Sequence, residues 1–189
     1  MTRTINLIVI HCTASRCTST LTPEALDAEH RRRGFNGCGY HFYITRGGQV
    51  HVMRDIALTG AHAKGYNSHS IGIAYEGGLD ANAQPADTRT PEQKQTLIAL
   101  LLQLRNTYPA ARICGHRDLS PDLNGNGVIE PQEYIKMCPV STPKRNMPHC
   151  NRTKKRIQMP LPARSRPNRE HHRSKPLPLP ANHLKRRSQ

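Results

Sequence analysis

The sequence predicts a single α/β domain in which a central mixed β-sheet is flanked by helices. Residues 6–10 and 111–115 are short strand-like runs that each lead into a histidine, which is typical of strands buried inside a sheet. Between them the chain alternates other strand-like segments with two segments that carry helix-start signals. We therefore place the folded domain in residues 1–139 and predict a disordered basic tail in residues 140–189.

Both helices are predicted from the residues at which they begin. Thr22 and Thr90 are suitable N-cap residues, and each is followed by a proline at the first helical position. Gln93 has the capping-box spacing from Thr90, and Gly34 is a natural stop for the first helix. The second helix has an apolar stripe that we expect to pack in the core, formed by Leu97, Leu100, Leu101 and Leu104.

Aromatic and β-branched residues mark the remaining strands. Residues 39–45 and 49–52 flank a Gly-Gly pair and predict a β-hairpin. A loop rich in glycine and histidine follows at residues 60–67, and residues 70–75 predict another strand. Residues 77–88 are predicted to form a polar loop.

The excess of positive charge belongs to the C-terminal tail. The chain has 28 Lys and Arg residues against 13 Asp and Glu, and residues 140–189 hold 14 of the former and 1 of the latter. This tail also holds 8 of the 15 prolines and few residues that can bury apolar surface, so we expect disorder. Its charge can attract anionic polymers, but without a fold it is not expected to recognise a nucleotide sequence.

The remaining composition bears on location and redox state. No run of about 18 apolar residues occurs, so no membrane span is expected. The N-terminus leads directly into the first strand, so we expect synthesis in the cytoplasm without a signal peptide. In such a chain the six cysteines, which include no Cys-x-x-Cys pair, are expected to be thiols or metal ligands rather than disulfides.

Three residues form a candidate metal site. His11 and His116 each close a predicted strand, and Cys138 follows in the last segment of the domain. Two imidazoles and one thiolate leave the fourth position of a zinc ion open, which is the pattern of a catalytic site. Composition alone does not single out this triplet, because the chain has 11 histidines and 6 cysteines.

Six ordered segments resemble the phage-type N-acetylmuramoyl-L-alanine amidases, which are relatives of the peptidoglycan recognition proteins. The resemblance covers residues 5–139, and it is the order of all six segments that makes it specific. The segments are IHCTA at 10–14, GYHF at 39–42, GAHAKGYN at 60–67, SIGI at 70–73, GHRD at 115–118 and KMCP at 136–139.

The resemblance implies that His11, His116 and Cys138 bind zinc and that Tyr40 and Lys136 line the reacting centre. It implies hydrolysis of the amide between N-acetylmuramic acid and the L-alanine of the stem peptide, as in a phage lysis enzyme that acts on the bacterial cell wall. Zinc would polarise the amide carbonyl and lower the pKa of a bound water towards about 7. Lys136 would stabilise the oxyanion, and Tyr40 would hydrogen-bond the water or the intermediate.

The loop at residues 60–67 supplies two candidates for substrate contact. In the family this loop borders the substrate groove, so the resemblance implies that His62 and Asn67 contact the muropeptide. A role in the structure of the loop is the alternative for both. His41, next to Tyr40 on a strand, should face the opposite side and is not expected to be a ligand.

Residues 122–133 match the twelve-residue EF-hand loop and form a candidate calcium site. Flanking helices and a partner hand are missing and two asparagines replace aspartates, so an Asn/Gly-rich turn is the alternative. Bound calcium would make the connection between His116 and Cys138 more rigid. The ligand positions are Asp122, Asn124, Asn126, Val128 through its carbonyl, and Glu133.

The chain departs from the family just after Pro139. Relatives continue with Phe-Asp and a closing helix, whereas here a basic, proline-rich run begins, as expected of a shifted reading frame or a replaced end. A non-catalytic peptidoglycan-binding module is therefore the second hypothesis. A cysteine peptidase that uses Cys12 with His11 is not expected, because neighbours on a strand point to opposite faces.

Overall fold

The computed structural model describes residues 3–138. The predicted tail at residues 140–189 and the change of composition after Pro139 lie outside the described residues. Within them the strands and α-helices are β1 (Leu7–Cys12), β2 (Ser15–Arg16), α1 (Pro23–Arg32), β3 (Phe42–Ile44), β4 (Val50–Val52), β5 (Ser70–Tyr75), β6 (Gly78–Leu79), α2 (Pro91–Thr107) and β7 (Arg112–Gly115).

Five of these strands form the central sheet, in the order β4-β3-β5-β1-β7. Strand β1 is parallel to β5 and to β7, and β3 is parallel to β5. Strand β4 is antiparallel to β3, which confirms the predicted hairpin. The sheet is therefore mixed, as the sequence predicts, and β1 is buried along its whole length between β5 and β7.

The two faces of the sheet have different coverings, because successive residues of a strand point to opposite sides. On one face, Ile8 and Ile10 of β1 pack in one cluster with the leucine stripe of α2, as predicted. On the other face, Leu7 and Val9 belong to a second cluster, and α1 packs beside β3 and β5. By the same alternation His11 points to this second face, away from α2.

The helix starts are formed as the sequence predicts. The Thr22 hydroxyl accepts a hydrogen bond from the Ala25 amide at 3.2 Å, and α1 ends two residues before Gly34, which has a φ of 85°. At α2, Thr90 and Gln93 form the predicted capping box through two hydrogen bonds of 3.1 Å.

Among residues 3–138, neither α-helix combines the length and the apolar character that a membrane span requires.

Two local features differ from the sequence-based expectation. Strand β1 continues through His11 to Cys12, which pairs with Tyr75, because the ladder needs only backbone groups and a polar side chain does not end it. The predicted polar loop at residues 77–88 contributes β6, which pairs in parallel with β2. Strands of two residues are too short to show the alternation from which strands are predicted.

The side chain of Gln93 fastens α2 to the sheet. It is fully buried, and its Nε2 donates hydrogen bonds to the carbonyls of Glu76 at 2.9 Å and Ile44 at 3.3 Å. Glu76 follows β5 and Ile44 ends β3. One buried amide therefore holds the carboxyl ends of two strands against the start of the helix.

We predict that Gln93→Leu lowers the free energy of unfolding by about 2 kcal/mol, because buried carbonyls lose their donor and the capping box is broken. The matched control is Gln95→Leu on the exposed side of the same helix, which should change it by less than about 0.5 kcal/mol. Urea unfolding of both variants, followed by circular dichroism, measures the difference. Equal effects of the two substitutions would contradict this role for Gln93.

Candidate active site

His11 and His116 lie side by side at one end of the sheet. Ile10 of β1 pairs with Gly115, the last residue of β7, so the next residue along each strand is a histidine. The centroids of the two imidazole rings are 4.6 Å apart, and His11 is 1 % exposed. The parallel pairing of the two strands therefore brings two of the three predicted zinc ligands together.

Two more rings complete a cluster around His11. The ring centroids of Tyr40 and His62 each lie 5.1 Å from that of His11. Lys136 is exposed, and its positive charge contributes to a lowered pKa of His116. Of the two residues predicted to line the reacting centre, Tyr40 thus lies beside His11, and Lys136 is close enough to His116 to affect its pKa.

His30 supports Tyr40 from helix α1 and was missed by the sequence-based reasoning. Its Nδ1 accepts a hydrogen bond from the Gly39 amide at 2.8 Å, and its ring centroid is 5.3 Å from that of Tyr40. The available signal was its spacing: His30 lies one turn after Leu26, the other buried residue of α1. A histidine on the apolar face of a short helix is therefore part of this site.

Burial sets the protonation of the cluster. It lowers the pKa of His11 well below the ordinary value, and the neighbouring His62 and His116 add to the effect. Burial is also the main cause of the lowered pKa of His116 and of the raised pKa of Tyr40. At neutral pH the imidazoles are therefore neutral, which is the form that binds metals, and the phenol keeps its proton.

The thiol of Cys138 is placed differently from the two histidines. The Cys138 carbonyl accepts a hydrogen bond from the Arg117 amide at 2.9 Å, which holds this segment beside His116. Its Sγ, however, accepts a hydrogen bond from the Cys12 amide at 2.7 Å, and a hydrogen bond between the two thiols lowers the pKa of Cys12. Within residues 3–138 no three His, Cys, Asp or Glu side chains form a group that could hold a metal ion. The full zinc ligand set stays a prediction.

The loop at residues 60–67 is closed by Asn67. Its Oδ1 accepts hydrogen bonds from the amides of His62 at 2.9 Å and Ala63 at 2.8 Å. This arrangement supports the alternative role of Asn67 in loop structure. His62 is 9 % exposed, and its Nδ1 lies 3.1 Å from Nε2 of His11. Contact of these two residues with a muropeptide stays a prediction.

The candidate calcium loop is held by its own backbone. The Asp122 carboxylate accepts hydrogen bonds from the amides of Gly125 at 2.8 Å and Gly127 at 2.7 Å. The Glu133 carboxylate accepts from the amides of Leu123, Asn124 and Glu130 at 2.8 to 3.2 Å. In the described part of the chain these acidic groups are not assembled around a metal position, so calcium binding stays a prediction.

Comparison with known proteins identifies the family. A family model described as N-acetylmuramoyl-L-alanine amidase matches residues 1–128. The chain belongs to the N-acetylmuramoyl-L-alanine amidase family. An endolysin of Enterobacteria phage K11 is 39 % identical over 112 residues, which is 59 % of this chain and 74 % of that protein. An uncharacterised protein of Haemophilus influenzae is 49 % identical over 92 residues, which is 49 % of this chain and 79 % of that protein.

A solved structure supports the same assignment. The N-acetylmuramoyl-L-alanine amidase LysC from Clostridium intestinale has a TM-score of 0.55 and 35 % identity, covering 69 % of this chain and 82 % of that chain. The predicted family, α/β fold and amidase enzyme class are therefore confirmed. The family model matches residues 1–128, so Lys136 and Cys138 lie outside the matched residues.

His41 is fully buried, and the centroid of its ring lies 5.7 Å from that of His62. Its Nδ1 accepts a hydrogen bond from the Gly72 amide at 3.0 Å, and its Nε2 lies 3.1 Å from the Leu58 carbonyl. An acceptor on one nitrogen and a donor on the other require a neutral ring. Burial lowers the pKa of His41 from 6.5 to about 4.

We predict that His41 makes the fold sensitive to acid. Between pH 6.5 and 4 the unfolded chain binds a proton at His41 that the folded chain excludes, so stability falls as the pH falls through this window. Asn at this position keeps an acceptor for Gly72 and cannot titrate. The measurement is urea unfolding of the metal-free protein, kept so by a chelator. Between pH 7 and 5 the free energy of unfolding of His41→Asn should fall by about 2 kcal/mol less than that of the parent protein. An equal fall in the free energy of unfolding of the two proteins would contradict this role for His41.

Proposed function

We propose that this amidase hydrolyses the bond between N-acetylmuramic acid and L-alanine in peptidoglycan, with zinc held by His11, His116 and Cys138. The observation that carries the proposal is the pair of adjoining, neutral imidazoles at the ends of two neighbouring parallel strands in a chain of the amidase family. The endolysin relatives support peptidoglycan of the bacterial cell wall as the substrate.

The donor chemistry of the three residues fits zinc. His11 and His116 supply neutral imidazoles, and Cys138 supplies a thiol next to the backbone of the residue that follows His11. The backbone bond from Arg117 ties the Cys138 segment to the turn that carries His116. When bound, zinc polarises a carbonyl and lowers the pKa of water to about 7.

Two other side chains have roles in this proposal. Tyr40 lies beside His11 and keeps its proton because burial raises its pKa, so its hydroxyl can donate a hydrogen bond to the reacting amide or the attacking oxygen. Lys136 is exposed at the His116 side, and its ammonium can stabilise the negative charge that develops on the amide oxygen.

The test is release of stem peptide from purified peptidoglycan by the full-length protein. We expect cleavage that a zinc chelator abolishes, that Cys138→Ala abolishes and that Tyr40→Phe slows by about 100-fold or more. Cys17→Ala, which changes a half-buried thiol outside the ring cluster, is the matched control and should keep the parent rate.

Two outcomes would contradict the proposal. Cleavage that is insensitive to the chelator and to Cys138→Ala would show that the reaction does not depend on zinc. Binding of peptidoglycan without cleavage, by folded and zinc-loaded protein, would favour the binding-module hypothesis.

We also propose the loop at residues 122–133 as a calcium site, on the support of its EF-hand pattern and the positive φ of 80° at Gly127, the sixth position. We expect calcium to raise the melting temperature of the protein by mass action and to have no such effect on Glu133→Gln. Magnesium at the same concentration is the control. If calcium raises the melting temperature no more than magnesium does, the loop is an Asn/Gly-rich turn and not a calcium site.

The net positive charge of residues 140–189 supports a further part of the proposal, namely salt-sensitive attraction of the amidase to anionic cell-wall polymers. This attraction would require only the opposite charges of the tail and the polymer. It adds to the recognition of peptidoglycan by the folded domain and does not replace it.

A further inference from the structure

The imidazole of His62 links His11 to Ser70. Its Nδ1 lies 3.1 Å from Nε2 of His11, and its Nε2 lies 3.3 Å from the Ser70 hydroxyl. All three residues are buried: His62 is 9 % exposed, His11 is 1 % exposed and Ser70 is 0 % exposed. Both nitrogens of His62 thus have buried partners.

The position of His62 is fixed from several sides. A Cβ atom on Gly72 would lie 2.5 Å from the His62 ring, and one on Gly60 would lie 2.6 Å from it, so both glycines make room for the imidazole. The Asn67 side chain holds the backbone amide of His62. Arg3 donates a hydrogen bond of 2.8 Å to the Ser70 carbonyl and holds the other end of the chain of contacts.

The direction of the two hydrogen bonds follows from the needs of a metal ligand. A neutral imidazole has one donor and one acceptor nitrogen. If Ser70 donated to His62, then His62 Nδ1–H would donate to His11 Nε2 and the proton of His11 would sit on Nδ1, leaving no lone pair for a metal. In the opposite direction His62 Nε2–H donates to Ser70, His62 Nδ1 accepts from His11 Nε2–H, and Nδ1 of His11 keeps its lone pair.

We propose that His62 is a positioning residue that, with Ser70, fixes the tautomer and ring orientation of His11 for metal binding. The inference rests on the proposed function, in which His11 binds zinc. Ligand histidines commonly donate their second N–H to an acceptor that fixes the ring, and loss of that partner weakens metal affinity by about 10- to 100-fold. Here the acceptor is another imidazole, and a buried hydroxyl sets its own tautomer.

Two substitutions at His62 separate hydrogen bonding from packing. Asn places an oxygen acceptor near the position of Nδ1, whereas Leu fills the space without an acceptor. We expect His62→Leu to weaken zinc binding by about 10- to 100-fold and His62→Asn to keep most of the parent affinity, measured by competition with a chromophoric chelator. Ser70→Ala should also weaken zinc binding, and Ser68→Ala, an exposed serine two residues earlier, is the matched control and should not.

A second readout needs neither zinc nor activity. In the metal-free, full-length protein labelled with ¹⁵N-histidine, His11 should be in the Nε2–H tautomer, with its resonances assigned by their loss in His11→Gln. The Nδ1–H tautomer in the parent protein would overturn the proposal, even if His62→Leu failed to fold. Parent-like zinc affinity of a folded His62→Leu would overturn it as well. A parent protein that binds no zinc would instead contradict the proposed function.

Discussion

The parallel pairing of β1 with β7 is the interaction on which the site depends. It sets Ile10 opposite Gly115, so the residues that follow on the two strands meet at the same end of the sheet. Both of these residues are histidines, and the pairing with β5 on the other side keeps β1 buried between its neighbours. The ring pair is therefore a product of strand register, and side-chain attraction between two imidazoles is not needed to form it.

The alternation along β1 then divides the work between the two faces of the sheet. Ile8 and Ile10 enter the core with α2, whereas His11 points to the opposite side, where the loop at residues 60–67 carries His62. The side chain of Cys12 points back to the α2 side, and its backbone amide donates a hydrogen bond to the thiol of Cys138. A single step along one strand therefore separates the imidazole of His11 from the side chain of Cys12.

Local signals in the sequence predicted most of the fold and part of the site. Caps at Thr22 and Thr90, the leucine stripe and the hairpin each depend on residues a few positions apart, and all of them formed. The proximity of His11 and His116 could also be predicted, because the carboxyl ends of parallel strands lie at the same edge of a sheet. The spacing of His30 from Leu26 indicated its burial, but the contacts of His30 with Gly39 and of Ser70 with His62 depend on loop conformations that no local pattern records. The same holds for the contact between Cys12 and Cys138, which are 126 positions apart.

The close approach of His62 to Gly60 and Gly72 has a consequence for how this protein can change in evolution. A side chain at either glycine would occupy the space of the ring, so the three positions are coupled and their substitutions are not additive. A larger residue at Gly72 becomes acceptable once position 62 carries a smaller side chain. Sequence divergence in this part of the domain is therefore expected to proceed through paired changes, and single replacements at these glycines should be rare among its functional descendants.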